Sequence, residues 1–241
     1  VVTRGYTSDV DRGGEFDDPV HAIDGSYSRS VTRTDYSGSY DEQGRIVRNP
    51  NQDEEDGTGV PVVTSYGYSF DGQRTYQMTE TDQRYNGAVW GNLGKTVMLE
   101  TESRSWTTVK EEEVASWDGF GMWEAAPEMF GSEANPLAQA DGSLSVSVMK
   151  TDYRGSFNEE TSKPAGAAPV GSGWSWSFDG TAVDPERTNF GIQMAEIEQI
   201  YNTGIWQATG LARLSEVVTR GYTSDVDRGG EFDDPVHAID G

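Results

Sequence analysis

Polar and apolar residues alternate along several stretches of the chain. Residues 143–151 read SLSVSVMKT, and residues 64–72 and 172–180 alternate aromatic side chains with Gly or Ser. Residues 75–85 and 97–109 are longer and rich in Thr, Val and Tyr. A period of two is typical of antiparallel strands with one buried face. The pattern therefore predicts an all-β fold of antiparallel strands, arranged as a sandwich or a meander barrel.

Turn and helix signals are fewer. Asn86-Gly87 lies between two strand patterns, and this dipeptide favours a type I′ hairpin turn because both of its residues accept a positive φ. Residues 192–201 have apolar side chains at helical spacing, but a related segment at 76–85 alternates as a strand, so we predict a strand there. The best helix candidate is residues 109–115, VKEEEVA.

The chain repeats its own beginning. Residues 1–25, the leading copy, are identical to residues 217–241, the trailing copy, which gives a period of 216 residues. Repeats at a fixed period indicate a modular array. We therefore expect the chain to be part of a longer array. We also expect the leading copy to be frayed, or completed by a neighbouring chain, because most of its own module would lie upstream.

Each period is itself doubled. Residues 24–40 and 141–157 share 11 of 17 positions, residues 77–90 and 193–206 share 7 of 14, and SFDG occurs at 69–72 and 177–180. The same blocks in the same order predict two related β modules, at 24–140 and 141–239. Residues 1–23 would then be the tail of a preceding second-type module.

Charge and composition narrow the function. The chain has a formal charge of −23, or about −19 per period, and it contains no cysteine. A strongly acidic surface disfavours nucleic acids, which need basic footprints. The sequence has no apolar run long enough to insert in a membrane and no N-x-[ST] glycosylation site. These features favour an extracellular or cell-surface protein of microbial origin.

An acidic segment with two glycines, SDVDRGGEFDD, occurs in both copies. Calcium takes six to eight oxygen ligands, and closely spaced carboxylates around glycines allow a loop to wrap one ion. Calcium is therefore the one candidate cofactor, although a solvated acidic loop is the simpler interpretation. The candidate ligands are Asp9, Asp11, Glu15, Asp17 and Asp18, with their duplicates Asp225, Asp227, Glu231, Asp233 and Asp234.

Aromatic residues divide into shared and unshared positions. Those at equivalent positions of both modules are predicted to form the core: Trp90 with Trp206, Trp106 with Tyr222, and Tyr66 and Tyr68 with Trp174 and Trp176. A second group lies in an apolar insertion that only the first module has, and it is predicted to cap that module or to dock on a neighbour. Its members are Trp117, Phe120, Trp123 and Phe130.

Catalytic motifs are absent from the sequence. His21 and His237 occupy the same position of the period, and GxSxG, HExxH, P-loop and GxGxxG patterns do not occur. We therefore expect no enzyme. The repetition resembles that of giant bacterial adhesins, surface-layer proteins and filament or matrix proteins. It predicts a structural protein whose partners are neighbouring repeats of the same chain or identical chains. The alternative is an array of carbohydrate-binding modules, with a surface polysaccharide as the partner.

Overall fold

The structure is a computed structural model, and it describes residues 1–8, 11, 13–15, 18–47, 59–109, 130–180, 192–224 and 228–235. Its strands form one antiparallel sheet in which each strand pairs with the next along the chain. The strands are β1 (Val2–Tyr6), β2 (Tyr27–Asp35), β3 (Val62–Phe70), β4 (Tyr76–Tyr85), β5 (Met98–Thr108), β6 (Leu144–Asp152), β7 (Val170–Phe178), β8 (Ile192–Tyr201) and β9 (Leu214–Thr223). The all-β, antiparallel prediction is confirmed. The strand order is that of a meander, and β1 and β9 are the two edges of the sheet in the described part of the chain.

Each half of the period has the same series of elements. Three strands are followed by a short helix and a fourth strand, first as β2–β3–β4–α1–β5 and then as β6–β7–β8–α2–β9. The helices are α1 (Gly87–Leu93) and α2 (Thr203–Thr209). Residues 192–201 form a strand, as predicted. Most of the candidate helix at 109–115 lies outside the described residues.

The predicted hairpin turn at Asn86-Gly87 is wrong. Asn86 has φ −66° and ψ 113°, and its side chain accepts a hydrogen bond from the backbone N–H of Val89 as the N-cap of α1. The helix ends at Gly94, which has a left-handed φ of 65°. Asn202 and Gly210 cap α2 in the same way. Asparagine is favoured both in turns and at N-caps. The apolar residues three and four positions further on, Val89 and Trp90, favour the helix because they form its buried face.

The two faces of the sheet differ in chemistry. One residue from every strand contributes to a row across the first face, which we call the aromatic face: Tyr6, Arg29, Tyr68, Met78, Trp106, Val146, Trp176, Met194 and Tyr222. The main core lies on this face and includes buried Tyr68, Met78 and Trp106. The opposite face, the hydroxyl face, has small polar residues; for example, the hydroxyl oxygens of Thr79 and Ser105 lie 2.6 Å apart across two strands.

The core prediction for the shared aromatic residues is confirmed at six of the eight positions. Trp90, Trp206, Trp106, Tyr222, Tyr68 and Trp176 are buried. Tyr66 and Trp174 are half-buried and pack against the main core. Trp206 also donates from Nε1 to the carbonyl of Ser156 at 2.9 Å, which ties α2 to the loop between β6 and β7. The shared aromatics therefore serve folding in both halves.

Glycine contacts explain two of the repeated sequence blocks. Gly72 of the first SFDG has φ +83°, and a Cβ built there would lie 2.1 Å from the carbonyl oxygen of Asp24. Gly180 of the second SFDG has φ +78°, and its Cβ would lie 2.3 Å from the carbonyl oxygen of Asp141. In each half, the turn after the second strand (β3 or β7) therefore packs backbone to backbone against the Asp-Gly turn that precedes the first strand (β2 or β6).

The strand at the start of the leading copy is paired within its own chain, so the expectation that this strand is frayed or completed by a neighbouring chain is wrong. β1 pairs with β2 over five residues, from Val2 opposite Arg33 to Tyr6 opposite Arg29. Backbone bonds extend the pairing at both ends, from Thr34 N–H to the Val1 carbonyl at 2.8 Å and from Thr7 N–H to the Ser28 carbonyl at 2.9 Å. A strand needs only one neighbour to satisfy half of its backbone groups, and β2 supplies it.

Candidate assembly interface

The two halves of the period are joined inside a single sheet. β5, the last strand of the first half, pairs with β6, the first strand of the second half, from Glu100 opposite Asp152 to Trp106 opposite Val146. Tyr153 N–H donates to the Leu99 carbonyl at 2.9 Å, so the odd-numbered residues of β5 direct their backbone groups toward β6. The junction between modules is therefore a strand pairing, with main-chain hydrogen bonds along its length.

A buried carboxylate accompanies this junction. Glu100 is only 3% exposed, and its Oε2 lies 2.7 Å from Lys150 Nζ and 3.2 Å from an Arg154 nitrogen. Both cations come from the second half of the period. A buried carboxylate is stable when it is paired in this way, and removal of one partner leaves an uncompensated charge. Sequence analysis missed Glu100, although its position directly opposite Asp152 and beside Lys150 follows once the register is known.

A second group of charges lies at the centre of the aromatic face. The guanidinium of Arg104 is 3.0 Å from both Asp82 and Glu102, and 3.6 Å from Glu133. Glu80, at 3.7 Å from Arg104, is partly buried, and this burial, with the neighbouring charge of Asp82, raises the pKa of its carboxyl group. These contacts tie the loop that precedes β6 to the strands β4 and β5.

The described residues of three loops next to module boundaries share two hydrogen-bonding features. We call them the junction loops: residues 109–143 between β5 and β6, residues 7–26 between β1 and β2, and residues 224–235 after β9. In each loop, a hydroxyl group at or within two residues of the end of the preceding strand donates to a carbonyl further along. These bonds are Thr108 to Phe130 at 2.8 Å, Ser8 to Gly13 at 2.8 Å and Ser224 to Gly229 at 2.9 Å.

The described part of the acidic segment includes a reciprocal pair of backbone hydrogen bonds in each copy. The backbone groups of Glu15 and Asp18 bond to each other in both directions, at 2.9 and 3.1 Å, and those of Glu231 and Asp234 do so at 3.0 and 3.1 Å. In the internal junction, the backbone groups of Ser132 and Asn135 form the corresponding pair of bonds, at 3.0 and 3.1 Å. These two residues have no carboxylate, unlike Glu15 and Asp18. The turn therefore forms without carboxylates at its first and last positions.

The calcium hypothesis stays a prediction. Asp9, Asp17, Asp225 and Asp227 lie outside the described residues. Among the residues that the structure does describe, including Asp11, Glu15, Asp18, Glu231, Asp233 and Asp234, no group of three His, Asp or Glu side chains is placed to hold one metal ion.

The apolar insertion of the first module is described only at its end. Trp117, Phe120 and Trp123 lie outside the described residues. Phe130 is fully buried in the main core, and its carbonyl accepts a hydrogen bond from Trp106 Nε1 at 3.0 Å. Phe130 therefore packs within its own chain, and a docking role for the other three residues stays a prediction.

The trailing copy folds back onto the aromatic face. The Arg228 guanidinium carbon lies 4.7 Å from the ring centre of Trp174 and 5.8 Å from that of Trp176. Arg228 also donates to the Glu133 carbonyl and lies 3.6 Å from its carboxylate. A guanidinium over an aromatic face is a favourable cation–π contact. Arg228 of the junction loop after β9 thus contacts both the internal junction loop and the rings of Trp174 and Trp176.

β9 presents at its open edge the same groups that β1 uses to bind β2. Residues 217–223 and 1–7 are identical. Val1 exchanges backbone bonds with Thr34, and the Thr7 N–H donates to the Ser28 carbonyl, so the odd-numbered residues of β1 face β2. Ser224 N–H donates to the Ile192 carbonyl at 3.2 Å, so the even-numbered residues of β9 face β8. The odd-numbered residues of β9, which correspond to those of β1, therefore point to the open edge.

Comparisons with known proteins identify no relative: no protein-family model, curated protein or solved structure matches the chain. In the part of the chain that the structure describes, no helix has the length and hydrophobicity to cross a lipid bilayer.

Proposed function

We propose that this chain is a structural unit of a large tandem-repeat protein of the microbial cell surface, in an adhesin, a surface layer or an extracellular filament. Its role is mechanical. Successive periods extend one antiparallel sheet, and the sheet acts as a stiff, acidic scaffold that spaces or displays other parts of the assembly.

The observation that supports this proposal most strongly is the pairing of β5 with β6. Modules that act as separate beads are joined by linkers with few contacts. Here the boundary between the two halves has a strand pairing seven residues long, and the buried carboxylate of Glu100 forms an ion pair with the partly exposed Lys150. A boundary of this kind transmits force through main-chain hydrogen bonds.

The repeat supplies the second support. The junction loops after β5, β1 and β9 share their hydroxyl–carbonyl bond and their reciprocal turn, and two of them lead directly into the first strand of a module. A following period that takes the path of residues 7–26 places its own β2 on the open edge of β9. The strongly acidic composition agrees with a soluble scaffold whose surface does not bind nucleic acids.

The proposal is tested by unfolding chains of one, two and four periods in denaturant. Nearest-neighbour interfaces add stability in repeat proteins, so the midpoint concentration should rise with the number of periods. Gly221→Pro in every junction serves as the matched control, because proline removes the N–H that faces the next period and leaves the bonds to β8 intact. The control should lower the midpoint of long chains and change that of the single period little. Equal midpoints for all chain lengths would mean independent modules and would contradict the proposal.

A further inference from the structure

Two different strands in this chain have the backbone groups that fit the edge of β2. β1 occupies that edge within the chain, from Val2 opposite Arg33 to Tyr6 opposite Arg29. β9 has the same seven residues, with the same odd-numbered groups directed away from β8. In a pair of molecules, the edge of β2 can therefore be filled by its own β1 or by β9 of the other molecule.

We propose that separate chains assemble head to tail by strand exchange, in which β9 of one molecule replaces β1 of the next and pairs with its β2. The partner is a second copy of this chain. The inference deepens the proposed function, on which it depends for the idea that the sheet continues past β9, by naming the strand and the register that join two chains.

The register follows from that of β1. Thr219 takes the place of Thr3 and lies opposite Thr32 of the acceptor, and Gly221 takes the place of Gly5 opposite Ser30. One residue pair is added, because β9 begins upstream of the identical segment and Glu216 comes to lie opposite Asp35. This is the arrangement of the internal junction, where Glu100 lies opposite Asp152.

The added pair, Glu216 opposite Asp35, brings a carboxylate to the acceptor strand that β1 does not have. At the internal junction the carboxylate of Glu100 binds Lys150, two residues before Asp152. In the exchanged assembly, Glu216 is placed beside Arg33, two residues before Asp35. In the single chain Glu216 is exposed, and Arg33 is bound at 3.5 Å by Asp35 of its own strand. Exchange therefore gives β9 a longer pairing than β1 has and an additional ion pair.

Exchange also repeats the geometry of the loops. The junction loop after β9 already has the hydroxyl–carbonyl bond and the reciprocal turn that follow β1. Because the donor and acceptor surfaces differ, each added molecule leaves a new open β9 at one end. A head-to-tail contact of this kind does not close on itself unless the rotation permits a ring, and it produces filaments.

The tethered β1 competes with the incoming strand. Because a short connection joins β1 to β2, β1 competes at a local concentration in the millimolar range, and exchange of the unmodified chain requires protein at about 1 mM. Weakening of β1 should shift the balance. Gly5→Pro removes the N–H that bonds to β2, and it should increase exchange about fivefold, the factor expected for one net backbone hydrogen bond. Gly221→Pro makes the same change in β9 and should abolish exchange.

Engineered cysteines report the register directly, since the chain has none of its own. In the variant Thr32→Cys with Thr219→Cys, the two residues are seven strands apart in one molecule, about 30 Å, and cannot form an internal disulfide. Exchange places them directly opposite each other in two molecules. Under mild oxidation at about 1 mM protein, we expect a ladder of covalent dimers and longer oligomers, increased by Gly5→Pro and lost with Gly221→Pro. The mismatched variant Ser28→Cys with Thr219→Cys is four residues out of register and should give little product.

A chain of two periods, made by repeating residues 26–241 after Gly241, separates the two proposals. If Thr219→Cys of its first period forms an internal disulfide with Thr32→Cys of its second, whereas single-period chains form no ladder, the sheet continues within the chain and strand exchange is wrong. If neither product forms, the proposed function also fails. Equal yields from the matched and mismatched cysteine pairs, or a ladder that Gly221→Pro does not reduce, would overturn exchange through β9.

Discussion

At the scale of single residues, the repeated sequence blocks correspond to backbone requirements. Gly72 and Gly180 have positive φ and lie against carbonyl oxygens of the preceding Asp-Gly turns. The short polar motifs DGS and SFDG recur because each contains one partner of this contact. Sequence comparison found the motifs, but only the structure shows that they touch, since residues 48 and 39 positions apart have no visible relation along the chain.

We expect Gly180→Ala to destabilise the protein by about 2 kcal/mol or more, because the new methyl group meets the Asp141 carbonyl and the backbone is left-handed. Gly155→Ala is the matched control: Gly155 has φ +74°, and a Cβ there meets nothing within 4 Å. It should cost only the conformational part, about 1 kcal/mol. Urea unfolding measures both values, and equal losses would show that the contact with Asp141 contributes nothing.

Asp71 begins the turn between β3 and β4 and provides a pH test. Its Oδ1 accepts hydrogen bonds from the backbone N–H groups of Gln73, Arg74 and Thr75, at 2.8, 2.8 and 3.0 Å. These bonds, that of Gln73 first, lower the pKa of the Asp71 carboxyl group from 3.8 to about 2. Since the folded pKa lies below the unfolded one, the stabilising effect is present above pH about 4 and disappears as the pH falls toward 2.

Asp71→Asn tests this sign, because the amide keeps an acceptor oxygen without the titrating charge. The difference in unfolding free energy between the native protein and the variant should be largest above pH 4 and should shrink between about pH 4 and pH 2. A difference that stays constant through this range would show that the charged form is not what the turn binds.

At the scale of elements, alternation predicted the strands well and the connections poorly. The period of two placed β3 to β7, because one buried face imposes it on these strands. The apolar residues of β8 have helical spacing, and its relation to β4 alone predicted a strand there. Both helices were missed, since seven residues are too few to establish a helical period and Asn-Gly is also a hairpin signal. The spacing of three residues distinguishes a helix from a hairpin turn here. In both helices an N-cap asparagine is followed four residues later by a buried tryptophan and eight residues later by a left-handed glycine: Asn86, Trp90 and Gly94, and Asn202, Trp206 and Gly210.

Asn202→Ala should destabilise the protein by about 1 kcal/mol, because the N-cap bond to the Ile205 N–H, 2.9 Å long, is lost. Asn202→Asp keeps an acceptor oxygen at the same place and should remain near the native value. Thermal unfolding followed by tryptophan fluorescence measures both, since Trp206 is buried at the base of this helix. Equal midpoints for the Ala and Asp variants would contradict the capping role.

At the scale of the whole molecule, the duplication of residues 1–25 is obvious in the sequence, but the pairing of its strand with β2 was not predicted. Sequence analysis placed a boundary between the two modules and expected the leading copy to lack a partner. The strands instead continue through the boundary from β5 to β6, and β1 pairs with β2 of its own chain. Both pairings, β5 with β6 and β1 with β2, depend on the register between strands. The register depends on which neighbour each backbone group faces, and the pattern of residues along the chain does not reveal this.

Calcium is the remaining prediction at this scale. A charge of about −19 per period repels neighbouring periods, and an ion held at the acidic junction segment would reduce that repulsion. A ligand that binds only the folded state adds about 2.7 kcal/mol at 100 times its Kd. We expect a two-period chain to melt at a higher temperature in calcium than in chelator, and the double variant Asp225→Ala, Asp227→Ala to lose this difference. Identical melting in calcium and in chelator would leave the segment as a solvated turn.

The most direct test of the account is amide hydrogen exchange at the open edge of β9, compared between chains of one and two periods. In the single period, the N–H groups of Val217, Thr219 and Gly221 face solvent and should exchange rapidly, whereas those of Val218, Arg220 and Tyr222 are bonded to β8. Thr3 and Gly5 provide an internal reference, because they have the same sequence context and are bonded to β2.

In the two-period chain, a continuous sheet predicts that Thr219 and Gly221 of the first period become at least as protected as Thr3 and Gly5, while the same residues of the second period stay unprotected. Rapid exchange at Thr219 and Gly221 of both periods would show that the sheet ends at β9, and it would contradict the account.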